Sequence, residues 1–168
     1  MDKKDMNNPT KKTNQPPLLP TALMNFKKTD DELAKIVGGF WQLVWKKENA
    51  AINIRTKYLL SLANAVGARR FRQATRELVK AYAEGTTVEE LDELFSLFVW
   101  NQGAGEFSSE IGPSPLFAAY QLVKGMEKDG TPRETIVEEL KKTFGESNPL
   151  VGTAYRLPEQ GDSQAKKD

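Results

Sequence analysis

The chain has 168 residues, a length that suits one domain, and its 39% hydrophobic and 28% charged residues are typical of a folded globular protein. Lysine and arginine number 24 and aspartate and glutamate 23, so the net charge of +1 does not indicate a nucleic-acid partner. Cysteine and histidine are both absent, which excludes thiol catalysis, disulfide bonds, thiolate or imidazole metal sites and triads with an imidazole base.

The two ends of the chain are polar, so we expect a flexible arm over residues 1–20, a single domain over 21–156 and a flexible tail over 157–168. Leu18 and Leu19 lie between prolines and are expected to cover their own domain or to dock on a neighbouring subunit. No apolar run approaches the ~18–20 residues that span a bilayer, and no signal peptide is evident. We therefore expect a cytoplasmic protein without membrane contact.

A first long amphipathic helix is predicted from about Asp30 to Glu48. Thr29 and Glu32 have the spacing of a capping box, and the apolar residues that follow recur with a helical period. This apolar stripe, which we expect to face the core, comprises Leu33, Ile36, Val37, Phe40, Leu43 and Val44. Trp41 and Trp45 lie one turn apart beside it, where they either widen the buried face or mark a subunit contact.

The next two predicted helices run from Asn53 to Val66 and from about Ala68 to Glu84, with Gly85 as the C-terminal cap of the latter. The former is apolar almost all round, which favours a place in the centre of the fold or at an oligomer interface. Three further helices begin at Thr87 with Glu90, at Ser114 with Pro115, and at Thr131 with Glu134. Residues 102–113 are predicted as a loop. About six helices and no strand pattern predict an all-α protein.

Two segments in the middle of the chain follow a residue pattern that helix caps and apolar periodicity explain only in part. Ala81 to Leu94 reads A-Y-A-E-G-T-T-V-E-E-L-D-E-L, and Lys57 to Gly67 reads K-Y-L-L-S-L-A-N-A-V-G. In this order and spacing, with Gly103 after the next helix, residues 54–103 resemble the carboxymuconolactone decarboxylase and alkylhydroperoxidase-like family. The resemblance implies a helical bundle of the alkylhydroperoxidase-like type that assembles as a trimer or a hexamer.

The resemblance also implies where peroxidase members of that family carry their reactive groups, a glutamate on one helix and a C-x-x-C-x-x-x-H motif that opens the next. Counted back from Gly85, the histidine position is Glu77, the cysteine positions are Gln73 and Arg70, and the glutamate position is Tyr58. All four groups are replaced, so thiol peroxidase chemistry and a decarboxylase step that needs histidine are not expected. The resemblance therefore implies the fold without the family's activity.

Tyr58, Arg70, Gln73 and Glu77 are the candidate ligand-binding residues, since the last three share one helix face. Arg70 is suited to bidentate binding of a carboxylate, and Glu77 is a candidate general base. Three interpretations are open. The residues form a satisfied polar network, they bind a small carboxylate, or Glu77, Arg70 and Tyr58 catalyse decarboxylase- or lactone-type acid–base chemistry.

A basic stripe lies beside that face and comprises Arg69, Arg72, Arg76 and Lys80. It is expected to face solvent or to pair with acids such as those of the Thr87 helix. Nucleic-acid binding is disfavoured, because the interleaved Phe71 lies on the core stripe and is not free to stack on a base. The acids in first helical turns are explained by the helix dipole, so no metal and no cofactor is predicted.

Together these patterns predict an all-α homo-oligomer, a trimer or a hexamer, that binds a small ligand or has a structural role. One alternative is a non-redox enzyme that uses Glu77 and Arg70. The other is a helical adaptor that engages another protein through Trp41 and Trp45.

Overall fold

The structure, a computed structural model, describes residues 17–155, and this part of the chain is helical without any strand. Its helices are α1 (Leu23–Thr29), α2 (Asp31–Trp45), α3 (Ile54–Gly67), α4 (Phe71–Ala83), α5 (Val88–Gln102), α6 (Ala104–Glu106), α7 (Pro115–Lys128) and α8 (Arg133–Thr143). The predicted all-α class is confirmed. The eight helices in this range exceed the six predicted, because α1 and α6 are additional. Most of the predicted arm and all of the predicted tail lie outside the described residues.

α4 is the central helix of the fold. Eight of its thirteen residues are buried, and it packs against α3 as an antiparallel hairpin and against α7 and α8. α5 joins this core through Leu91, Phe95 and Phe98. The Phe95 ring stacks on Tyr120 of α7, with ring centroids 4.1 Å apart. Because α4 is enclosed by its neighbours, the polar side chains that it carries are held in fixed positions.

Three predicted helix starts are confirmed by their hydrogen bonds. The side chains of Asn53, Thr87 and Ser114 each accept a bond from a first-turn amide, and Thr87 with Glu90 forms a complete capping box. Gly85 follows α4 with a positive φ of 98°, as its predicted role as a cap requires. These signals are local, which is why the sequence alone contains them.

Two predicted capping boxes are wrong. Asp30, rather than Thr29, caps α2 with its side chain, because the Thr29 hydroxyl donates to the Asn25 carbonyl in the last turn of α1. α8 begins after Pro132 without a side-chain cap, so Thr131 does not have the role predicted for it. Both starts are displaced by one residue toward the C-terminus.

The predicted loop over residues 102–113 is also wrong in part. Gly103 ends α5 with a positive φ of 87°. The short helix α6 follows and leads into a π-helical segment, Phe107–Ile111. Phe107 packs against the core and Ile111 is fully buried within it. Burial of these two apolar side chains explains why the segment is ordered as a helix despite its glycines.

α2 turns its predicted core stripe away from the domain. The stripe members Leu33, Ile36, Phe40, Leu43 and Val44 are 37–68% exposed. Trp41 and Trp45 are half-buried instead, and the Trp45 ring stacks on Tyr58 of α3 at a centroid distance of 5.2 Å. The larger apolar area of the indole rings explains why this side of α2 packs on the domain.

The segments that flank the helices are joined to α4 through Glu146. Its carboxylate accepts bonds from the Thr21 hydroxyl and from the amides of Thr153 and Ala154, and it pairs with Arg76 of α4. We call these five residues the Glu146 clasp. Leu18 and Val151, which lie outside the helices, are likewise buried in the core. Leu18 of the predicted arm is therefore packed in the core.

Candidate functional site

A groove with a volume of about 720 Å³ opens between α2 and the first turns of α4. α2 contributes Trp41 and Trp45 to its lining, and α4 contributes polar and charged side chains from its exposed edge. The remaining lining comes from the segment that leads into α1, from the start of α1 and from the segment after α8, and includes Pro20, Leu23, Leu150 and Thr153. The groove is therefore lined by aromatic side chains from α2 and by charged side chains from α4.

The four predicted site residues lie together at this groove. Arg70, Gln73 and Glu77 line it, and Tyr58 lies directly behind Trp45, on which it stacks. Tyr58 is buried, and the antiparallel packing of α3 and α4 brings it beside Glu77. The Gln73 amide lies 3.5 Å from the Ser61 hydroxyl of α3, at the limit of a hydrogen bond. The juxtaposition expected from the family register is thus present.

Glu77 is a buried charged group of the groove that is only partly paired. Its side chain is 7% exposed, and Oε1 accepts a hydrogen bond from the Lys80 ammonium at 3.0 Å. Oε2 is buried and has no hydrogen-bond partner among the residues that the structure describes. A buried oxygen without a partner costs free energy, on the order of 1–3 kcal/mol. Glu77 can therefore accept one further hydrogen bond from a donor that enters the groove.

Lys80 and Tyr58 lie beside the Glu77 carboxylate. The Lys80 ammonium lies 5.5 Å from the centre of the Tyr58 ring and 5.9 Å from that of Trp45, within cation–π distance of both. Burial, with the negative charges of Glu77 and Glu84, raises the pKa of Tyr58 to about 12. Tyr58 is consequently a neutral phenol at physiological pH and not a base.

Arg70 immediately precedes α4 and is exposed at the rim of the groove. Within residues 17–155 its guanidinium forms no ion pair and no side-chain hydrogen bond. The other arginines of the groove are engaged, since Arg69 pairs with Glu106 and Glu110, and Arg72 donates to the Gly152 carbonyl. Arg70 is therefore the groove cation whose bidentate donors are available to an anion.

The basic stripe predicted on α4 is only partly solvent-facing, since Arg69 and Arg72 are exposed but its other two members are not. Arg76 is almost fully buried in the Glu146 clasp, and Lys80 pairs with Glu77 on its own helix. The expected pairing with acids is present for Arg69, Arg76 and Lys80, but the partners are not those of α5. Glu90 and Asp92 of α5 instead pair with Arg55 and Lys124. Nothing in this arrangement favours nucleic acid.

Two contributors to the groove, the Trp41 and Trp45 pair and Lys80, were not predicted as site residues, and neither was Glu146, which pairs with the groove-lining Arg76. The orientation of Trp41 and Trp45 has a weak sequence signal, because with Ala34 and Gly38 they form a second helical stripe of small and aromatic residues. Lys80 was assigned to the basic stripe, although it lies three residues after Glu77, a spacing that favours an ion pair. Glu146 has no signal, since its partner Arg76 is 70 residues away.

Comparison of the chain with protein-family models, with curated proteins and with solved structures gave no match. Among residues 17–155, no group of three or more acidic side chains is arranged to hold a metal ion, and no helix is long and apolar enough to cross a membrane. The candidate site is therefore characterised by its own chemistry: an unpaired arginine, a buried carboxylate with one free oxygen, and two indole rings.

Proposed function

We propose that the protein binds a small aromatic carboxylate in the groove between α2 and α4. We propose further that it is a cysteine-free member of the carboxymuconolactone decarboxylase and alkylhydroperoxidase-like family, assembled from identical subunits and without thiol peroxidase chemistry. The observation that carries the binding proposal is the buried Oε2 of Glu77, a residue that lines the groove, because this oxygen has no hydrogen-bond partner among the described residues.

The ligand class follows from the three groups that line the groove. Arg70 offers a bidentate donor for a carboxylate, and Trp41 and Trp45 offer apolar contact for a ring. Glu77 Oε2 requires a donor, such as a hydroxyl group. Arg70 and Glu77 are seven residues apart, which corresponds to about 10 Å along the axis of α4. An aromatic ring with a carboxylate at one end and a hydroxyl at the other spans this distance with its hydrogen bonds.

The alternative function is acid–base catalysis by Glu77, with Arg70 as the group that orients the substrate. The observation that favours this alternative is again the Oε2 oxygen, an acceptor without a partner among the described residues that belongs to a groove-lining carboxylate. Binding needs only that donor. Catalysis also needs a substrate proton that Glu77 removes, and it is recognised by turnover of the bound molecule.

The test compares matched probes, 4-hydroxyphenylacetate, phenylacetate and 4-methylphenol, by calorimetry and by tryptophan fluorescence. A Trp100→Phe background leaves Trp41 and Trp45 as the reporters, since Trp100 is 85% exposed and is not part of the groove. We expect 4-hydroxyphenylacetate to bind at least about tenfold more tightly than either other probe. Phenylacetate lacks the hydrogen bond to Glu77 and 4-methylphenol lacks the bidentate pair with Arg70, and one hydrogen bond to a charged group contributes about 1.5 kcal/mol.

Two substitutions link this preference to the groove. Arg70→Gln should remove the advantage conferred by the carboxylate, and Glu77→Gln should reduce the advantage conferred by the hydroxyl. Lys142→Gln is the matched control, because this exposed lysine of α8 lies away from the groove and its loss should change neither advantage. Equal affinities for the three probes, or a preference that persists in both groove variants, would refute the proposal. Conversion of a probe to product would favour the catalytic alternative.

A further inference from the structure

The exposed side of α2 carries an apolar stripe that the domain does not cover. Within the part of the chain that the structure describes, no residue of α2 is buried, and Ile36, Phe40 and Leu43 are each 65–68% exposed. The stripe continues to Leu33 and Val44 at its two ends, 37% and 39% exposed. A contiguous apolar surface of this kind is typical of an interaction site.

The charges around the stripe indicate what covers it. Asp31 and Glu32 lie in the first turn of α2, whereas Lys46 and Lys47 follow its last turn. A second α2 laid antiparallel on the first brings the acidic end of each helix to the basic end of the other. A parallel arrangement would place like charges together at both ends.

The positions of the apolar residues fit the same arrangement. With a twofold axis at the level of Gly38, Leu33 of one copy lies at the level of Leu43 of the other, and Ile36 lies at the level of Phe40. Leu33, Ile36, Phe40 and Leu43 therefore each meet another apolar side chain, while Val44 lies at the level of Glu32 at the edge of the contact. Such an interface is isologous, because the same surface serves both copies.

We propose that α2 pairs antiparallel with α2 of a second copy of the chain, through the stripe Leu33, Ile36, Phe40, Leu43 and Val44. This pairing does not depend on the ligand proposal, because Trp41 and Trp45 lie on the side of α2 that faces the groove. It does make a prediction about the assembly. A twofold contact gives an even number of subunits, so a hexamer or a dimer is favoured over an isolated trimer.

The test measures the mass of the full chain by light scattering after gel filtration, with an expected value equal to an even multiple of 18.8 kDa. Ile36→Glu should halve this mass, since it places a charge at the centre of the stripe. The matched control is Leu97→Glu, at a residue of α5 that is 53% exposed and lies outside the stripe. Circular dichroism checks that each variant retains its helices.

Charge reversal distinguishes an antiparallel pair from unspecific association. One variant carries Asp31→Lys with Glu32→Lys, and the other carries Lys46→Glu with Lys47→Glu. Each variant alone should dissociate to half the wild-type mass, because like charges then meet at both ends of the pair. An equimolar mixture should restore the wild-type mass. A monomeric or trimeric wild-type protein, or masses that Ile36→Glu and both reversals leave unchanged, would overturn the proposal.

Discussion

Two neighbouring charges on α4, Arg76 and Glu77, are both buried, yet the regions around them are satisfied to different degrees. Arg76 donates to Glu146 and, at 2.7 Å, to the Leu19 carbonyl, while Glu146 in turn accepts bonds from two hydroxyl groups and two backbone amides. Glu77 has Lys80 as its partner and one oxygen with no partner among the described residues. A buried polar group that contributes only to stability is normally paired. This difference supports the proposal that the Glu146 clasp is structural and that the groove binds a ligand.

The largest effect is expected from breaking the clasp on one side. Glu146→Ala leaves the Arg76 guanidinium buried without its counter-charge, and removal of one partner of a buried pair costs about 3 kcal/mol or more. The free energy of unfolding in urea should fall by that amount. Lys141→Ala is the control, because its ion pair with Glu138 is solvent-exposed and should contribute less than about 1 kcal/mol. Similar losses in the two variants would show that the clasp has no special role.

The same comparison predicts how stability depends on pH. Burial acts to raise the pKa of Glu146, but the bonds from Thr21, Thr153 and Ala154 and the charge of Arg76 outweigh it and lower this pKa to about 2. A carboxylate with a depressed pKa stabilises the fold above its unfolded pKa of about 4.5, and this stabilisation is lost as the pH falls toward 2.

Urea unfolding of the wild type and of Glu146→Gln across this pH range measures the effect. The wild type should be the more stable protein at pH 7, and the difference should shrink steadily between pH 4.5 and pH 2. A difference that stays constant over this window would mean that protonation of Glu146 is not linked to unfolding.

The contrast between clasp and groove also shows what the sequence could predict. The start of α5 was predictable, because Thr87 and Glu90 are three residues apart and complete their hydrogen bonds within one turn. The expectation that Tyr58 lies near Glu77 rested only on a resemblance to a family, which spans two adjacent helices, and not on a local hydrogen-bond pattern. The clasp was not predictable, because Thr21 and Glu146 are 125 residues apart and no local pattern links them.

α2 illustrates a different limit of the sequence. It has two apolar stripes. The helical period of the apolar residues predicts that each stripe forms one face of the helix, but it does not predict which face packs against the domain. That choice depends on tertiary packing, here on the stacking of Trp45 against Tyr58. The stripe with the more regular aliphatic pattern was therefore assigned to the core, whereas the structure leaves it exposed.

A smaller effect is expected at Arg69, in the turn between α3 and α4. Arg69 has a φ of 55°, and the Arg70 amide closes the turn by donating to the Ala65 carbonyl. The left-handed conformation costs a residue with a side chain about 1 kcal/mol relative to glycine. Arg69→Gly and Arg69→Ala both lose the ion pairs with Glu106 and Glu110. The free energies of unfolding of the two variants should therefore differ only by this backbone cost.

Thermal or urea unfolding should therefore show the Arg69→Gly variant to be more stable than Arg69→Ala by about 1 kcal/mol. The turn after α4 provides the matched case, because Gly85 has a φ of 98° and Gly85→Ala should be destabilising by a similar amount. Equal stabilities for the two Arg69 variants would indicate that the turn relaxes without cost.

The smallest effect on stability is expected when Glu77 and Lys80, the ion pair of the groove, are both replaced. This replacement also gives the clearest contrast with the clasp. Glu77→Leu with Lys80→Met removes the ion pair together with the free carboxylate oxygen, and replacement of a buried pair by apolar residues is often neutral or stabilising. The free energy of unfolding should stay within about 1 kcal/mol of the wild-type value or rise above it. Binding of 4-hydroxyphenylacetate should be lost at the same time.

The corresponding double replacement in the clasp, Arg76→Met with Glu146→Leu, should behave in the opposite way. It leaves the backbone amides of Thr153 and Ala154 without their acceptor and removes one partner each from the Thr21 hydroxyl and the Leu19 carbonyl, and a buried polar group left unpaired costs about 1–3 kcal/mol. Stability would then be kept when the groove pair is removed and lost when the clasp pair is removed. If both double variants lost stability to the same extent, Glu77 would be a structural charge like Arg76, and its free oxygen would no longer support a ligand site.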